Sequence, residues 1–162
     1  VEQVSGETVA VYAERPISCY GLKAEEGLEL WQVRSPAQAW AASAHGLADR
    51  EPAPRLGFMT AYWQGDFCCL SVCLPPDQAA HFAESPALIG AAPRPASLIN
   101  LQGPHFGDRP GIAAEALQGL SEAGVEPLAV SGVVHSLFIA VEPASAPAAL
   151  AGLAARFSGP KR

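Results

Sequence analysis

With 162 residues, 49% of them apolar, the chain can bury a core and hold one ordinary domain or two small ones. The formal charge is -6 and the ten Lys and Arg are scattered, which excludes a nucleic-acid partner, because phosphates are bound by clustered cations. No apolar run approaches the roughly 20 residues of a membrane helix and no basic-then-apolar leader opens the chain, so a cytoplasmic location without a membrane partner is expected.

Val1 stands where an initiator Met is expected, so residues 1–16 read as a tail or linker from a preceding domain. Residues 17–22 read as a strand, and residues 28–34 as another. Ser35 is placed to cap a helix that starts at Pro36 and turns Ala37, Trp40, Ala41, Ala44 and Leu47 inward. Two strands follow, 55–64 and 67–74, around a Gly65-Asp66 turn, then a short helix over 77–84 and an Ala/Pro-rich connector over 86–95. Cys68, Cys69 and Cys73 share one apolar run, a poor disulfide framework that suits a reducing compartment. Strand alternation sets Cys69 and Cys73 on one face and Cys68 on the other, without paired two-residue spacing or a nearby His, so buried small residues are expected there and not zinc. Trp31, Trp40, Tyr62 and Trp63 fall at core spacing, which predicts core or subunit packing.

The second half repeats the plan. A strand from Leu98 runs into the loop Gly103 Pro104 His105 Phe106 Gly107 Asp108 Arg109 Pro110 Gly111, and a helix over 110–123 sets Ile112, Ala113, Ala116, Leu117 and Leu120 on one face. Gly124 ends it, strands over 125–131 and 136–141 are joined by a turn at Gly132, and a last helix over 146–157 buries Leu150, Leu153 and Phe157. Little chain follows Phe157, so strand 17–22 is expected to complete the second sheet. The fold class expected is α+β: two ferredoxin-like βαββαβ units in tandem, helices on one face of antiparallel sheets, with boundaries 24–95 for the first unit and 17–22 plus 96–157 for the second.

A loop where a strand hands over to a helix presents free N–H groups and the positive end of the helix dipole, so residues 103–111 form a candidate anion seat. The dipole supplies roughly 0.3 to 1 kcal/mol, up to about 2 when partly buried. Millimolar binding needs about 4 kcal/mol, so further contacts are required. Gly103, Gly107 and Gly111 serve either turn geometry or ligand approach, Asp108 either caps the helix or accepts from a ligand amine, and His105 is either solvated or a ligand contact. His135 and Ser136 read as structural groups on a strand. No nucleophile elbow, His-Glu-x-x-His or phosphate-loop signature occurs, and the histidines at 45, 81, 105 and 135 belong to no such constellation. No catalytic residue, metal or cofactor is therefore expected.

The pattern of strand, Gly103, Pro110-Gly111 at a helix start, a Ser131 to Ser136 stretch and a helix ending in Phe157 resembles the second repeat of a tandem ACT module, in particular the C-terminal regulatory region of aspartate kinases. Gly6-Glu7-Thr8 is similar to the tail of that family's catalytic domain, and the kinase's own Lys-Phe-Gly-Gly type motif is absent. In the first unit Ser35-Pro36-Ala37 stands where the family has Pro-Gly. The family commonly sets a Ser-Glu pair after the first helix, and Val134 occupies the place of that acid. The resemblance implies an effector site at Gly103, His105, Phe106, Gly107, Asp108, Pro110, Gly111, Ile112, Ser131, Val134 and His135. It also implies a free amino acid effector of the lysine or threonine class, an attached or associated kinase domain and a homodimer. The alternative is a ligand-free ACT pair that serves assembly alone.

Overall fold

The computed structural model describes residues 17–36, 38–39, 57–83, 91–107 and 109–159. Along the chain come β1 (Ile17–Ser18), β2 (Gly21–Pro36), β3 (Phe58–Gln64), β4 (Phe67–Leu74), α1 (Pro76–Ala83), β5 (Arg94–Gln102), α2 (Ile112–Glu122), β6 (Ala129–Val133), β7 (Ser136–Val141), α3 (Ala146–Arg156) and β8 (Phe157–Ser158). The fold is α+β. Six strands form one antiparallel sheet in the order β3-β4-β2-β5-β7-β6, while β1 and β8 pair in parallel as a separate two-stranded ladder.

The 16-residue β2 runs the end of the strand expected at 17–22 into the one expected at 28–34, while Ile17–Ser18 stand apart as β1. Residues 21–25 pair with β5, residues 31–36 pair with β4, and Glu29 and Leu30 pair with both. The Glu25-Glu26-Gly27 stretch that reads as a break is a bulge between Glu25 and Leu28, with Gly27 at φ 72°. Such a bulge absorbs extra residues and bends the strand without ending it. Ser35 and Pro36 pair with Cys68 and Phe67 inside β2, so Ser35 is a buried strand residue and not a helix cap. Of the helix expected to start at Pro36, residues 38–39 are described and are helical, whereas Ala37, Trp40, Ala41, Ala44 and Leu47 lie outside the described residues, as do the tail 1–16 and the start of the connector. The connector's last two residues, Arg94 and Pro95, belong to β5.

Alternation sends apolar side chains to both faces of this sheet. On the helix-covered face, Ile99, Leu101, Leu120, Ile139 and Leu153 join α2 and α3 to β5 and β7, and Trp31, Leu70, Val72, Leu74 and Ala79 form a second cluster under α1. The opposite face holds Leu28, Leu30, Phe58, Cys73, Leu98 and Ala140, with Leu128 and Ala129 packed against them. There β3 touches β6, and Gln32 Nε2 donates to the Leu128 carbonyl at 3.1 Å. The sheet thus curls until its edge strands meet over a core of its own.

Several expectations shift. Tyr62 and Trp63 are 61% and 59% exposed on edge strand β3, whereas Trp31 is buried. The β6–β7 turn is Val134-His135 and not Gly132, which lies within β6 opposite Leu137. β6 starts at Ala129, since residues 125–128 serve as its approach, with the buried Val125 donating to the Leu120 carbonyl at 2.9 Å. In α2, Ala113 and Leu117 face solvent while Ile112, Ala116, Gly119 and Leu120 are buried. The close packing of α2 on α3 fixes that rotation: a Cβ on Gly119 would lie 2.7 Å from the Gly152 carbonyl oxygen, and one on Gly152 2.9 Å from the Ala123 Cβ. Outside this seam Arg156 reaches from α3 to Glu115 at 2.7 Å and to Glu122. Gln118 and Arg156 hold the Glu122 carboxyl below its ordinary range.

Gly152→Ala forces the helices apart and lowers stability by about 1–3 kcal/mol in urea unfolding. An unchanged midpoint would refute that packing. Burial, reinforced by the negative charge of Glu25, pushes the Cys73 thiol from 9.0 up to about 12. Between these values the unfolded chain has released a proton that the folded one retains, so this group's contribution is intact below pH 9 and is lost as pH rises towards 12. The loss reaches about 1.4 kcal/mol per pH unit within that window. Cys73→Ala should flatten the alkaline fall in stability relative to the parent.

Candidate functional site

The site grows from three backbone segments: the loop after β5, the β6–β7 turn and the junction between β1 and β2. After β5, Gly103 donates its N–H to the His135 carbonyl at 3.1 Å, which ties the loop to the β6–β7 turn. Gly103 must lack a side chain because the Phe106 ring occupies the space a Cβ would fill. Phe106 is buried against Phe157, with ring centroids 6.1 Å apart and 55° between planes, and so plugs the loop into the core. His105, one residue earlier, takes the left-handed conformation at φ 60°, uncommon outside glycine. Its carbonyl accepts the Arg109 N–H at 2.8 Å. Gly107 lies against the turn so closely that a Cβ would sit 2.9 Å from the Val134 carbonyl oxygen.

The third segment is the junction between β1 and β2. Cys19 donates to the Ser158 carbonyl at 2.8 Å and Tyr20 to the Gln102 carbonyl at 2.6 Å, so the backbone is held on both sides while the Tyr20 ring remains in solvent. Tyr20, Pro104, His105, Gly107, Val134 and His135 line an open cleft of about 480 Å³, a volume suited to a small molecule. Its walls are rings, one isopropyl group and backbone. Among the described residues, no three His, Cys, Asp or Glu side chains gather as a metal centre requires.

Of the expected effector residues, His105, Gly107, Val134 and His135 come together in this cleft. His135 does so from the turn rather than from a strand. Gly103 and Phe106 lie beneath as its support. Pro110, Gly111 and Ile112 are not in the walls: Gly111 precedes α2 at φ 89° and Ile112 is buried in the core. Ser131 is half-buried further back along β6, and Asp108 lies outside the described residues. The cleft is therefore distinct from the helix N-terminus. Tyr20 and Pro104 complete the walls although the sequence did not single them out as ligand contacts. Pro104 lies inside the loop and was within reach of such a reading, whereas Tyr20 joins through pairings distant in sequence.

Gly107→Ala pushes the loop off the turn and loosens the Gly103–His135 bond. Hydrogen exchange at the Gly103 amide should quicken in this variant while that of the β5 core amides does not. Equal protection in parent and variant would show that the loop does not depend on this approach.

No protein-family model matches the chain, and no curated protein matches it by sequence. Solved structures do match. The ligand-free regulatory subunit of aspartate kinase from Thermus thermophilus superposes with a TM-score of 0.70 at 17% identity, covering 86% of this chain and 98% of that one. The regulatory subunit of aspartate kinase from Thermus flavus gives 0.71 at 16% identity with the same coverage. A C-terminal regulatory domain assigned to aspartate kinase from Porphyromonas gingivalis W83 gives 0.61 at 13%, covering 84% and 95%. Across most of its length, this chain has the tandem ACT fold seen in the regulatory parts of aspartate kinases.

Proposed function

We propose that the chain is a regulatory ACT module of an aspartate kinase in the cytoplasmic synthesis of lysine, threonine and methionine. In this reading two ferredoxin-like units share β2, and a free amino acid bound in the Tyr20–His105–His135 cleft controls an attached or associated kinase domain. The carrying observation is the cleft itself, built where the loop after β5 and the β6–β7 turn are bonded to each other. A ligand there touches three separately anchored segments, and a binder that favours one arrangement of them shifts the population towards it. The overall likeness to separate regulatory subunits supports the kinase as partner.

Titrating the chain with a panel of amino acids, followed by calorimetry and melting, tests this. An effector at a hundred times its Kd should raise stability by about 2.7 kcal/mol. Silence across the panel would remove effector sensing.

A second reading, a ligand-free pair that serves only assembly, is favoured by β3. This edge strand, Phe-Met-Thr-Ala-Tyr-Trp-Gln, carries no charge and exposes Met59, Tyr62 and Trp63. Apolar side chains left exposed together on an edge strand invite a protein partner. The homodimer common to both readings should then dissociate in Trp63→Lys, seen as a halved mass in light scattering with an unchanged melting curve. A monomeric parent would count against both assemblies.

A further inference from the structure

We infer that Gln32 is a latch between the two halves of the sheet, and that its closure and the shape of the cleft bias one another. Regulation through the cleft rests on its reading as an effector site; the latch itself does not.

The halves are joined at two places. The first is β2, bent at the bulge between Glu25 and Leu28. Residues 25–27 are exposed and a Cβ on Gly27 would meet nothing within 4 Å, so no packing braces the bend on that side. The second lies across the curl. Gln32 Nε2 has two hydrogens, and it donates to Ser71 Oγ of β4 at 3.3 Å and to the Leu128 carbonyl at 3.1 Å. Because Leu128 offers an acceptor, the nitrogen end of the amide must face it. Leu128 is also held from its own half: its N–H donates to the Ala140 carbonyl at 2.8 Å, and its side chain packs on the inner cluster with Leu28, Leu30 and Phe58. One residue thus carries a bond to each half.

From Leu128 the chain passes directly into β6, which is paired with β7 from Ala129 to Val133. Its far end is the Val134-His135 turn, which lines the cleft and is bonded to the loop after β5. At roughly 3.3 Å per residue, about 20 Å of strand separates the latch from that turn. A paired strand of this length moves as a body, so a tilt of the β6–β7 hairpin that reshapes the cleft also shifts the Leu128 carbonyl against Gln32. Gln32 is exposed, and a hydrogen bond that competes with water is worth roughly a two- to tenfold change in an equilibrium. Such a bond is too weak to lock the curl and strong enough to bias it.

Hydrogen exchange of the full chain tests the latch with Gln32→Glu, which keeps the shape of the side chain and loses the donor. Exchange should quicken roughly two- to tenfold at the Leu128 amide and also at the Gly103 amide beside the cleft. The Ile99 and Leu101 amides in β5 should match the parent and report an intact fold. Because coupling is reciprocal, Gly107→Ala, which disturbs the turn, should in its own right quicken the Leu128 amide. Quickening at Leu128 alone in Gln32→Glu would reduce Gln32 to a local brace and overturn the inference. So would a Leu128 amide indifferent to Gly107→Ala, or equal quickening at Ile99 and Leu101. Coupled exchange in a chain that binds none of the amino acid panel would uphold the latch and remove effector sensing.

Discussion

Everything in this fold hangs on one strand being shared. β2 gives its first stretch to β5 and its last to β4, so the two halves of the chain have a common backbone element instead of a linker. The bend that allows this sits at the Glu25–Leu28 bulge, where Gly27 adopts a φ that side chains resist. On either side of the bulge the strand keeps its apolar alternation, with Leu28 and Leu30 inside the curl and Trp31 towards α1. A break in β2 would separate the sheets and expose the inner core at once.

The cleft depends on that architecture at second hand. α2 and α3 approach through Gly119 and Gly152, and beneath the loop Phe106 meets Phe157, the residue that follows α3. The turn that carries Val134 and His135 is bonded to the same loop. The cleft walls are thus tied together where backbone meets backbone and open where side chains meet water.

Legibility followed sequence distance. β4 and β7 could be bounded to the residue because their apolar runs lie between plain turn signals. The bulge was hidden because two glutamates and a glycine have the composition of a turn. The hairpin was misplaced because Gly132 attracts the turn assignment, while Val134-His135 offers none of the Gly, Asn or Asp that two-residue turns favour. Four of the five cleft residues that loop and turn contribute, His105, Gly107, Val134 and His135, were named from the sequence because a family pattern placed both segments near a ligand. Tyr20 was not, since its role arises from pairings with residues near 102 and 158. The exposure of Tyr62 and Trp63 escaped notice for a similar reason: alternation tells faces apart, but not which strand ends up at the edge.

The small parallel ladder has a mechanical side. Ile17 lies beside Phe157 and Ser18 beside Ser158, with the strands pointing the same way. A pull on the chain ahead of Ile17 against one beyond Ser158 therefore loads the ladder in shear, so its bonds resist together and do not unzip in turn. Tyr20 follows directly after the last bonded residue of that ladder. Tension arriving from the N-terminal side is delivered to the wall of the cleft before it reaches the sheet.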